Sequence, residues 1–452
     1  MRTSLPLSVS KNESGKVYIP NTFKLNTPIK QLFFGTSSCE CEVIQVEKQE
    51  IRISEDIYSA LRIPYISRTQ LFFNEDTLYI GPLVGIFTAG FSESAIRPIG
   101  ERTLFFSKLL AAEKAVGAYV FVFGAKHIDW EKGTIQGLFH HRNGWETIEV
   151  PFPNVIYDRL PNRKTEKNRT LQQIKQRLHN EYLIPWFNPG FFDKWEVHQL
   201  LEGDSRVASY LPETHKTPTF TLIERMLSKY QHVYLKPANG SLGLGIFQII
   251  FDKENEGYYC RYRDEQNTNR LQRFSTIEAL INTHFKKRRL EDYIVQQGIH
   301  LVRVDKKAVD FRIHTNKNEE GQWQVSVMAA KISGLGSVTT HVNNGGVIRT
   351  IQEIFPNTEE CDRITSSLND AALTLSKVID RRYKGHIGEI GFDLGVDKDG
   401  KVWLFEANSK PGRSIFSHPK LRKYDKLSSQ LPLQYAIYLT EATIKSPEEL
   451  FK

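Results

Sequence analysis

Residues 387–413 read IGEIGFDLGVDKDGKVWLFEANSKPGR and decide more about the fold than any other stretch of this 452-residue chain. Two apolar runs flank the tetrapeptide DKDG (397–400), a pattern typical of two strands joined by a tight turn. If the first and last residues of that tetrapeptide pair across the turn, Asp393 lies opposite Leu404. The stretch therefore predicts a β-hairpin with a definite register.

Three oxygen-bearing side chains of this hairpin are predicted to share one face. Side chains alternate between faces along a strand, so Glu406 and Asn408 lie on the face of Asp393. Carboxylate and amide oxygens suit Mg²⁺ that is bound together with nucleotide phosphates. The alternative is a solvated acidic face, which explains the turn acids Asp397 and Asp399 better than acids placed among apolar residues. The hairpin thus predicts a metal site formed by Asp393, Glu406 and Asn408.

Length and composition predict a soluble protein with two or three domains, because 452 residues exceed what one core usually organises. Hydrophobic residues at 40% and charged residues at 25% are ordinary values for that class. No apolar run approaches the length of a membrane span, and the start, MRTSLPLSVSKNESGK, lacks the apolar core of a signal peptide. The four cysteines form no disulfide or zinc pattern. We expect a cytoplasmic protein that does not enter a membrane.

The net charge of +8 does not by itself identify a partner. A nucleic-acid binder usually concentrates its basic residues and interleaves aromatic ones, whereas here only KKRR (286–289) forms a basic run. That run lies at the end of a predicted helix, where a solvated face is the simpler interpretation. Anionic substrates, nucleotide phosphates or acidic coat polymers fit the charge as well. We do not expect nucleic acid as a partner.

The order of predicted elements divides the chain into three parts. Short alternating runs with one short helix, SEDIYSALR, predict a small β-rich domain over residues 1–80. The runs GPLVGIFTAGF, AYVFVFG and NVIYDRLP predict buried strands that alternate with helices, as in an open α/β layer over residues 81–190. A proline- and aromatic-rich passage leads into residues 191–452, which mix helices with antiparallel strand pairs as in an α+β domain.

Residues 233–249, VYLKPANGSLGLGIFQI, predict a glycine-rich loop between two strands, with Lys236 on the first strand. The loop supplies Gly240, Ser241, Gly243 and Gly245. Glycines let backbone amides approach an anion, the serine adds a hydroxyl donor, and the lysine can balance phosphate charge. No GK[ST] closes the loop, and a strand follows where a Rossmann helix would begin. A tight turn is the alternative, but together with the acidic hairpin the loop predicts a nucleotide lid over a metal platform.

The segment YIVQQGI (293–299) is an apolar strand that ends in two amides, Gln296 and Gln297. Such an edge suits hydrogen bonds to adenine. The two glutamines fit surface positions on a strand equally well, and the sequence leaves both interpretations open.

The segment VDFRIHTN places Asp310, Arg312 and His314 on one face of a predicted strand. All three can point into a cleft, where an arginine would neutralise a transferring phosphoryl group or an acyl phosphate. A surface ion pair between Asp310 and Arg312 is the alternative. The following run, VSVMAAKIS, places Lys331 at a strand end.

Taken in this order, a lysine before a glycine-rich hairpin, an Asp-x-Arg strand and an Asp followed by Glu-x-Asn resemble the ATP-grasp superfamily. The chain is most similar to the YheC/YheD-type endospore coat-associated ATP-grasp proteins, through IYDRLPNR, DKWEVHQLL, LPET and LKPANGSLGLGI. The superfamily likeness covers Asp193 to the C-terminus, and the narrower likeness extends upstream to about Gly81. It implies an α/β pre-ATP-grasp domain over residues 81–190 and an ATP-grasp fold over residues 191–452.

The resemblance also implies roles for individual residues. Lys194 and Lys236 resemble the first and second ATP-contacting lysines, and the segment around adenine and ribose would contain Gln296, Gln297 and Ile299. The ligases of this superfamily would hold Mg²⁺ through the positions of Asp393, Glu406 and Asn408. Basic side chains at the positions of Arg312 and Lys331 would face the phosphates or an acyl phosphate. Two departures stand out: Leu244 replaces a basic loop residue, and Lys410 puts a cation beside the predicted metal site.

Two functions follow from the resemblance. One is a Mg-ATP-dependent carboxylate–amine (or thiol) ligase that acts through an acyl phosphate on an unidentified substrate pair during spore formation. The other is a nucleotide-binding spore coat component with little or no turnover, which would contact other coat proteins. The absence of a Ser-His-Asp or Cys-His pattern agrees with the first, because an acyl phosphate needs no protein nucleophile.

Overall fold

The computed structural model of the protein describes residues 4–238, 245–286, 288–340 and 345–451. The strands in these ranges form four sheets that follow one another along the chain. Helices are sparse beside the first sheet and frequent beside the other three. This succession confirms the predicted combination of α/β and α+β parts with a strand-rich beginning.

The first sheet contains eight strands. They are β1 (Leu5–Ser10), β2 (Lys16–Pro20), β3 (Gln31–Phe34), β4 (Ser37–Glu40), β5 (Glu42–Val46), β6 (Ile51–Ser54), β7 (Arg68–Asn74) and β8 (Thr77–Gly81), with helix α1 (Glu55–Ala60) between β6 and β7. Their spatial order is β4-β3-β8-β7-β1-β6-β2-β5. One buried apolar cluster extends from Leu5 to Trp186, so the first sheet shares a core with the second. The division at residue 80 stays a prediction.

The second sheet is built around parallel strands. Its elements are β9 (Leu83–Phe87), α2 (Thr103–Leu110), α3 (Glu113–Val116), β10 (Tyr119–Phe123), β11 (Ile128–Asp129), β12 (Thr134–His141), β13 (Gly144–Pro151), β14 (Val155–Asp158), α4 (Arg163–Glu166), α5 (Arg169–Asn180) and β15 (Trp186–Phe187). Strand β9 pairs in parallel with β10 on one side and β14 on the other. Every residue of β9 and β10 is buried, as expected of strands covered on both faces.

The third sheet is antiparallel and carries helices on one face. Helix α6 (Lys194–Glu202) precedes this sheet in the chain but packs in the core of the fourth sheet. The elements of the third sheet are β16 (Thr214–Lys216), α7 (Phe220–Tyr230), β17 (His232–Pro237), β18 (Phe247–Asp252), β19 (Gly257–Arg263), β20 (Asn269–Phe274), α8 (Ile277–Phe285) and β21 (Tyr293–Gln297). The spatial order is β16-β21-β17-β18-β19-β20. Apolar residues of α7 and α8 pack on alternate residues of these strands, which leaves the other face for the site.

The fourth sheet contains the acidic hairpin. Its elements are β22 (Arg303–Val304), β23 (Lys307–Lys317), β24 (Trp323–Ile332), β25 (Val347–Arg349), α9 (Ile351–Ile354), α10 (Thr358–Arg382), β26 (Glu389–Val396), β27 (Val402–Asn408), α11 (Lys423–Lys445) and α12 (Pro447–Leu450). The order is β25-β24-β23-β26-β27, with β22 paired to β23. Helix α10 packs on one face with its buried side chains in the core of this sheet.

The long helix α11 connects the end of the chain to the second sheet. Its buried residues Leu433, Tyr435 and Ile437 belong to the same apolar cluster as Val84 and Phe106. The second and fourth sheets therefore meet across a packed contact. Within the described ranges, none of the helices combines the length and the apolar character that crossing a membrane requires.

Candidate functional site

The acidic hairpin forms, but its turn differs from the predicted one. The amide of Asp397 donates to the carbonyl of Lys401, at 3.0 Å, and the amide of Gly400 donates to the carbonyl of Asp397, at 3.0 Å. Three residues therefore lie between the paired positions instead of two. The side chain of Asp397 accepts hydrogen bonds from the amides of Asp399 and Lys401 and so fixes this turn.

A β-bulge on β27 then restores the predicted arrangement of acids. Leu394 pairs with Leu404, whereas the next residue, Asp393, pairs with Glu406, so Phe405 is the extra residue. The predicted pairing of Asp393 with Leu404 is wrong. The longer turn and the bulge shift the register in the same direction, and the two shifts together leave Asp393 and Glu406 on one face.

Lysine and arginine side chains form ion pairs with Asp393 and with its neighbour Asp310. Lys331 Nζ lies 2.7 Å from Asp393 Oδ1 and 3.2 Å from Asp310 Oδ1, and Arg312 Nε lies 3.3 Å from Asp393 Oδ1. Burial opposes the charge of Lys331, but the two aspartates outweigh it and raise the pKa of this lysine. Burial raises the pKa of Asp310, and the charge of Asp393 adds to that effect. The Asp310–Arg312 strand face thus points inward, and the alternative of a surface ion pair is wrong.

Asn408 joins this cluster through its side-chain amide. With the amide oriented to satisfy both neighbours, it donates to Glu406 Oε1 at 3.1 Å and accepts from Arg312 Nη1 at 3.2 Å. Arg312 therefore links the amide to Asp393. All three residues predicted as metal ligands come together beside both residues predicted as catalytic.

The two predicted ATP-contacting lysines, Lys194 and Lys236, lie on different elements and both line a cleft between the third and fourth sheets. Asp193 caps helix α6 by accepting hydrogen bonds from the amides of Trp195 and Glu196, which fixes Lys194 in the first turn. Lys194 Nζ lies 3.6 Å from Glu406 Oε2. Lys236, on β17, donates to Gln296 Oε1 at 2.5 Å.

Lys236 has an unusual environment for a cation. Its ammonium lies 5.5 Å from the ring centre of Tyr234 and 5.6 Å from that of Phe405. Burial, together with the nearby charge of Lys194, lowers the pKa of Lys236 to about 8. An anionic ligand would favour its charged form.

This environment predicts a pH dependence of nucleotide binding. The affinity for ATP should fall as the pH rises through about 8, because Lys236 loses its charge there. Isothermal titration calorimetry between pH 7 and 9.5 measures this change. A Lys236→Arg variant keeps its charge and should lose the dependence. An identical pH profile for the wild type and this variant would contradict the assignment of Lys236 to the phosphates.

A cleft of about 460 Å³ separates the third and fourth sheets. The predicted site residues that line it are Lys194, Lys236, Gln296, Gln297, Ile299, Lys331, Asp393 and Glu406. Arg312 and Asn408 lie beside the acidic pair rather than on the wall. Gly245 has a φ of +70°, which favours glycine at the point where the chain enters β18. The predicted phosphate-loop residues Gly240, Ser241 and Gly243, and the departure at Leu244, lie outside the described residues.

The side chains of both glutamines of β21 form hydrogen bonds with neighbouring segments of the chain. Gln296 accepts from Lys236 and donates to the hydroxyl of Thr214 at 3.1 Å. The side-chain oxygen of Gln297 accepts from the amide of Glu213, at 3.1 Å. The surface alternative is therefore wrong for the buried Gln296, whereas Gln297 is half-buried at the cleft. Whether this edge contacts adenine stays a prediction.

Several lining residues were not predicted. Tyr234 and Gln248 face each other on β17 and β18, and Gln248 donates to the hydroxyl of Tyr234 at 3.1 Å. Tyr234 lies two residues before Lys236 on β17, so alternation along the strand could have predicted that both side chains face the cleft. Thr340 donates to Asp310, a long-range contact that no local pattern indicates.

Lys410 does not lie where the sequence placed it. Its ammonium donates to Asp158 Oδ1 at 2.5 Å, its side chain is 2% exposed, and it is not one of the cleft residues. Asp158 also accepts from Lys175 at 2.6 Å and from the indole of Trp186 at 3.1 Å. The prediction of a cation beside the metal site is thus wrong for Lys410, because the buried Asp158 at the end of β14 takes it.

The donor set can be compared with the needs of a divalent cation. Among the residues that the structure describes, no three His, Cys, Asp or Glu side chains gather as a ligand cluster. Two carboxylates and one amide do gather, at Asp393, Glu406 and Asn408. Mg²⁺ typically takes one or two carboxylates and completes its shell with water and phosphate oxygens. The donor set therefore fits Mg²⁺ that arrives with a nucleotide, and does not fit an ion held by protein alone.

Comparison with known proteins identifies the family. Residues 183–439 match the family described as YheC/D like ATP-grasp. The chain is also 44% identical over 447 residues to the endospore coat-associated protein YheD of Bacillus subtilis (strain 168), and the match covers 98% of each chain. The protein belongs to the YheC/D-like ATP-grasp family.

Other similar proteins are more distant. The endospore coat-associated protein YheC of Bacillus subtilis (strain 168) is 27% identical over 298 residues. This match covers 65% of the chain described here and 80% of YheC. Among solved structures, D-alanine–D-alanine ligase from Bacillus anthracis complexed with ATP covers 80% of this chain and 99% of its own, at 12% identity and a TM-score of 0.46.

Proposed function

We propose that this YheC/D-like protein is a Mg-ATP-dependent ligase that joins a carboxylate to an amine through an acyl phosphate. The observation that carries the proposal is the directly opposed pair Asp393 and Glu406, surrounded by Lys194, Lys331 and Arg312. Acids and cations alternate there within one cleft, and such a site suits phosphoryl transfer, in which most of the catalysis is electrostatic. Membership of an ATP-grasp family supports the same chemistry.

The cleft provides a place for each part of ATP. We assign adenine and ribose to the end of β21, at Gln296, Gln297 and Ile299, and the phosphates to Lys236 and Lys194. Gly240, Ser241, Gly243 and Gly245 would cover the phosphates as a lid.

Asp393, Glu406 and Asn408 would hold Mg²⁺, which when bound neutralises charge on the phosphate oxygens.

The reaction follows in two balanced steps. A carboxylate oxygen of the substrate attacks the γ-phosphorus, the bond to the β-phosphate oxygen breaks, and ADP leaves. An amine then attacks the acyl carbon, the C–O bond to phosphate breaks, and the amine proton passes to phosphate or solvent. Arg312 and Lys331 would balance the negative charge in both steps.

The ion pairs of Asp393 and Glu406 predict that Mg²⁺ binds more tightly when a nucleotide is bound. Lys331 and Arg312 already neutralise Asp393, and Lys194 lies beside Glu406. ATP phosphates offer Lys194 a competing partner, so we expect Mg²⁺ to bind at least about tenfold more tightly with a non-hydrolysable ATP analogue than without it. Calorimetric titration of Mg²⁺ measures both affinities. An Asp399→Asn variant, changed at an exposed turn residue of the same hairpin, should behave as the wild type. Equal Mg²⁺ affinity in both conditions would contradict the shared site.

The proposed function is tested by ADP formation from Mg-ATP in the presence of pooled amino acids and short peptides. A pool that raises the rate of ADP formation supports a ligase and begins to define the substrate pair. ATP binding without turnover in any pool would instead support a nucleotide-binding coat component. The names of YheD and YheC as endospore coat-associated proteins favour a role in the spore for either function.

A further inference from the structure

A second group of charged residues lies outside the nucleotide cleft, at the carboxyl ends of β9 and β14. The chain runs from β9 to β10 on one side and returns to β14 on the other, so the strand order reverses at β9. In open α/β sheets, the crevice outside the carboxyl ends of strands at such a reversal is the usual ligand position. Thr88 follows β9 and Arg159 follows β14 at this point.

Four arginines, which we call the arginine cluster, converge here from both sides of the packed contact. They are Arg102, Arg159, Arg312 and Arg413. The ring of Phe105 lies 4.8 Å from Arg159 Cζ and 5.8 Å from Arg413 Cζ.

Arg102 closes one side of the cluster, with Nη1 donating to the hydroxyl of Thr88 at 2.8 Å and Nη2 donating to the carbonyl of Arg159 at 2.5 Å.

The cluster continues to the acidic pair of the proposed active site. Phe416 lies 5.0 Å from Arg413 Cζ and 6.0 Å from the ring of His314. A Cβ built on Gly391 would lie 2.5 Å from Pro411 Cβ and 3.2 Å from Arg312 Nη1, so the glycine lets Pro411 and Arg312 approach this strand. Because Arg312 contacts Asp393, the arginine cluster reaches the acidic pair of the proposed active site.

The charges of the cluster do not balance. Arg159 pairs with Glu389 at 2.6 Å, Arg413 pairs with Asp425 at 2.6 Å, and Arg312 shares Asp393 with Lys331. Within the described ranges Arg102 hydrogen-bonds only a neutral hydroxyl and a carbonyl and forms no ion pair. Asp425 is itself shared with Lys108, at 2.8 Å, so the group carries a net positive charge and Arg102 has no carboxylate of its own among the residues described.

Two buried polar atoms in the cluster also lack a partner. Arg159 is 8% exposed and His314 is 4% exposed. Arg159 Nε and His314 Nε2 have no hydrogen-bond partner in the described part of the chain. Buried polar atoms of this kind are uncommon in native proteins and often mark a functional position.

We propose that the arginine cluster binds a second carboxylate of the acid substrate, so that the ligase acts on a dicarboxylate such as an acidic amino acid or an acidic peptide. The inference rests on the proposed function, because it places the reacting carboxylate beside Arg312 and Asp393 and the second one beside Arg102. A carboxylate would give Arg102 the counter-charge that it lacks, through the paired hydrogen bonds that a guanidinium can donate.

The test measures binding rather than turnover. Aspartate, glutamate and their dipeptides, linked through either the α- or the side-chain carboxyl group, are titrated calorimetrically into the protein with Mg²⁺ and a non-hydrolysable ATP analogue. The amide counterpart of each acid and O-phosphoserine serve as comparisons. We expect at least one acid to bind about tenfold or more tightly than its amide, as loss of a charge-assisted hydrogen bond implies.

Variants assign that difference to the cluster. Arg102→Gln should reduce the acid-to-amide ratio to near one, Arg102→Lys should retain part of it, and Arg97→Gln, changed at an exposed arginine of the same segment, should retain all of it. The nucleotide affinity should stay unchanged in all three. Because Arg102→Gln removes two hydrogen bonds, melting temperatures are measured to show that each variant is folded at the assay temperature. A difference that persists in Arg102→Gln, tightest binding of phosphoserine, or binding of none of the acids would overturn the inference.

Failure of the proposed function gives a different result. A wild type that does not bind the ATP analogue contradicts the ligase assignment. The acid-to-amide comparison without nucleotide then still decides whether the arginine cluster recognises a carboxylate.

Discussion

Replacing Asp158 with asparagine is expected to destabilise the protein by about 3–5 kcal/mol, because it leaves the buried ammonium of Lys410 and the half-buried one of Lys175 without their counter-charge. Asp158 is 0% exposed and contacts Lys410 at 2.5 Å and Lys175 at 2.6 Å. Asparagine keeps the shape of the side chain but cannot neutralise either ammonium. The midpoint of urea unfolding, followed by circular dichroism, measures the loss.

A surface pair provides the control for this prediction. Arg177 and Glu181 form an exposed pair at 3.0 Å on helix α5, so Glu181→Gln should change the stability by less than about 0.5 kcal/mol. We call Asp158, Lys175 and Lys410 the buried triad. Equal midpoints for Asp158→Asn and Glu181→Gln would show that this triad contributes nothing to the free energy of unfolding.

The same triad gives the protein a definite response to acid. Although burial opposes it, the charges of Lys410 and Lys175 hold the pKa of Asp158 below its usual value. A group with a lowered pKa in the folded state stabilises the protein above its unfolded pKa of about 3.9, and this contribution is lost as the pH falls through the folded pKa. The stability difference between the wild type and Asp158→Asn should therefore be full at pH 7 and shrink below pH 4.

Replacing Glu406 with glutamine is expected to reduce substrate-dependent ADP formation by at least about 100-fold, as removal of one preorganised charge at a reacting phosphate typically does. Glutamine preserves the size of the side chain, but Asp393 becomes the only carboxylate of the opposed pair. Binding of ATP without metal should persist and should not weaken, because Lys236 and Gln296 are untouched and Lys194 no longer pairs with a carboxylate. Asp399→Asn, on the turn of the same hairpin, is the matched control. Unchanged ADP formation in Glu406→Gln would exclude this residue from the reaction.

The acidic hairpin shows how far local sequence rules reach. Alternation along the strands predicted the shared face of Asp393 and Glu406, and the structure has it. The route to that result was wrong in both steps, because neither the three-residue turn nor the bulge at Phe405 has a distinctive sequence signal. A shift of the register by one residue moves a side chain to the other face of the strand, and a second shift in the same direction moves it back. The buried apolar residues around the acids therefore indicated the face more reliably than the assumed turn did.

Contacts between distant segments could not be predicted from the sequence. Lys410 is close in sequence to Asn408, yet its partner Asp158 lies 252 residues away. Arg102 and Arg413 meet around Phe105 only because helix α11 returns to pack on the second sheet. Strand periodicity orders side chains within one element, whereas the arginine cluster depends on how two sheets dock. The helix start at Lys194, by contrast, carried a local signal in its cap, Asp193.

The most direct test of the proposed chemistry follows oxygen from the substrate to phosphate. A pool of amino acids and short peptides labelled with ¹⁸O in their carboxyl groups is incubated with the protein and Mg-ATP, and the released phosphate is analysed by mass spectrometry. A carboxylate that attacks the γ-phosphorus leaves one of its oxygens on phosphate when the acyl C–O bond breaks, so each released phosphate should carry one ¹⁸O. Release of unlabelled phosphate would show that water attacks ATP directly and would contradict a ligase acting through an acyl phosphate.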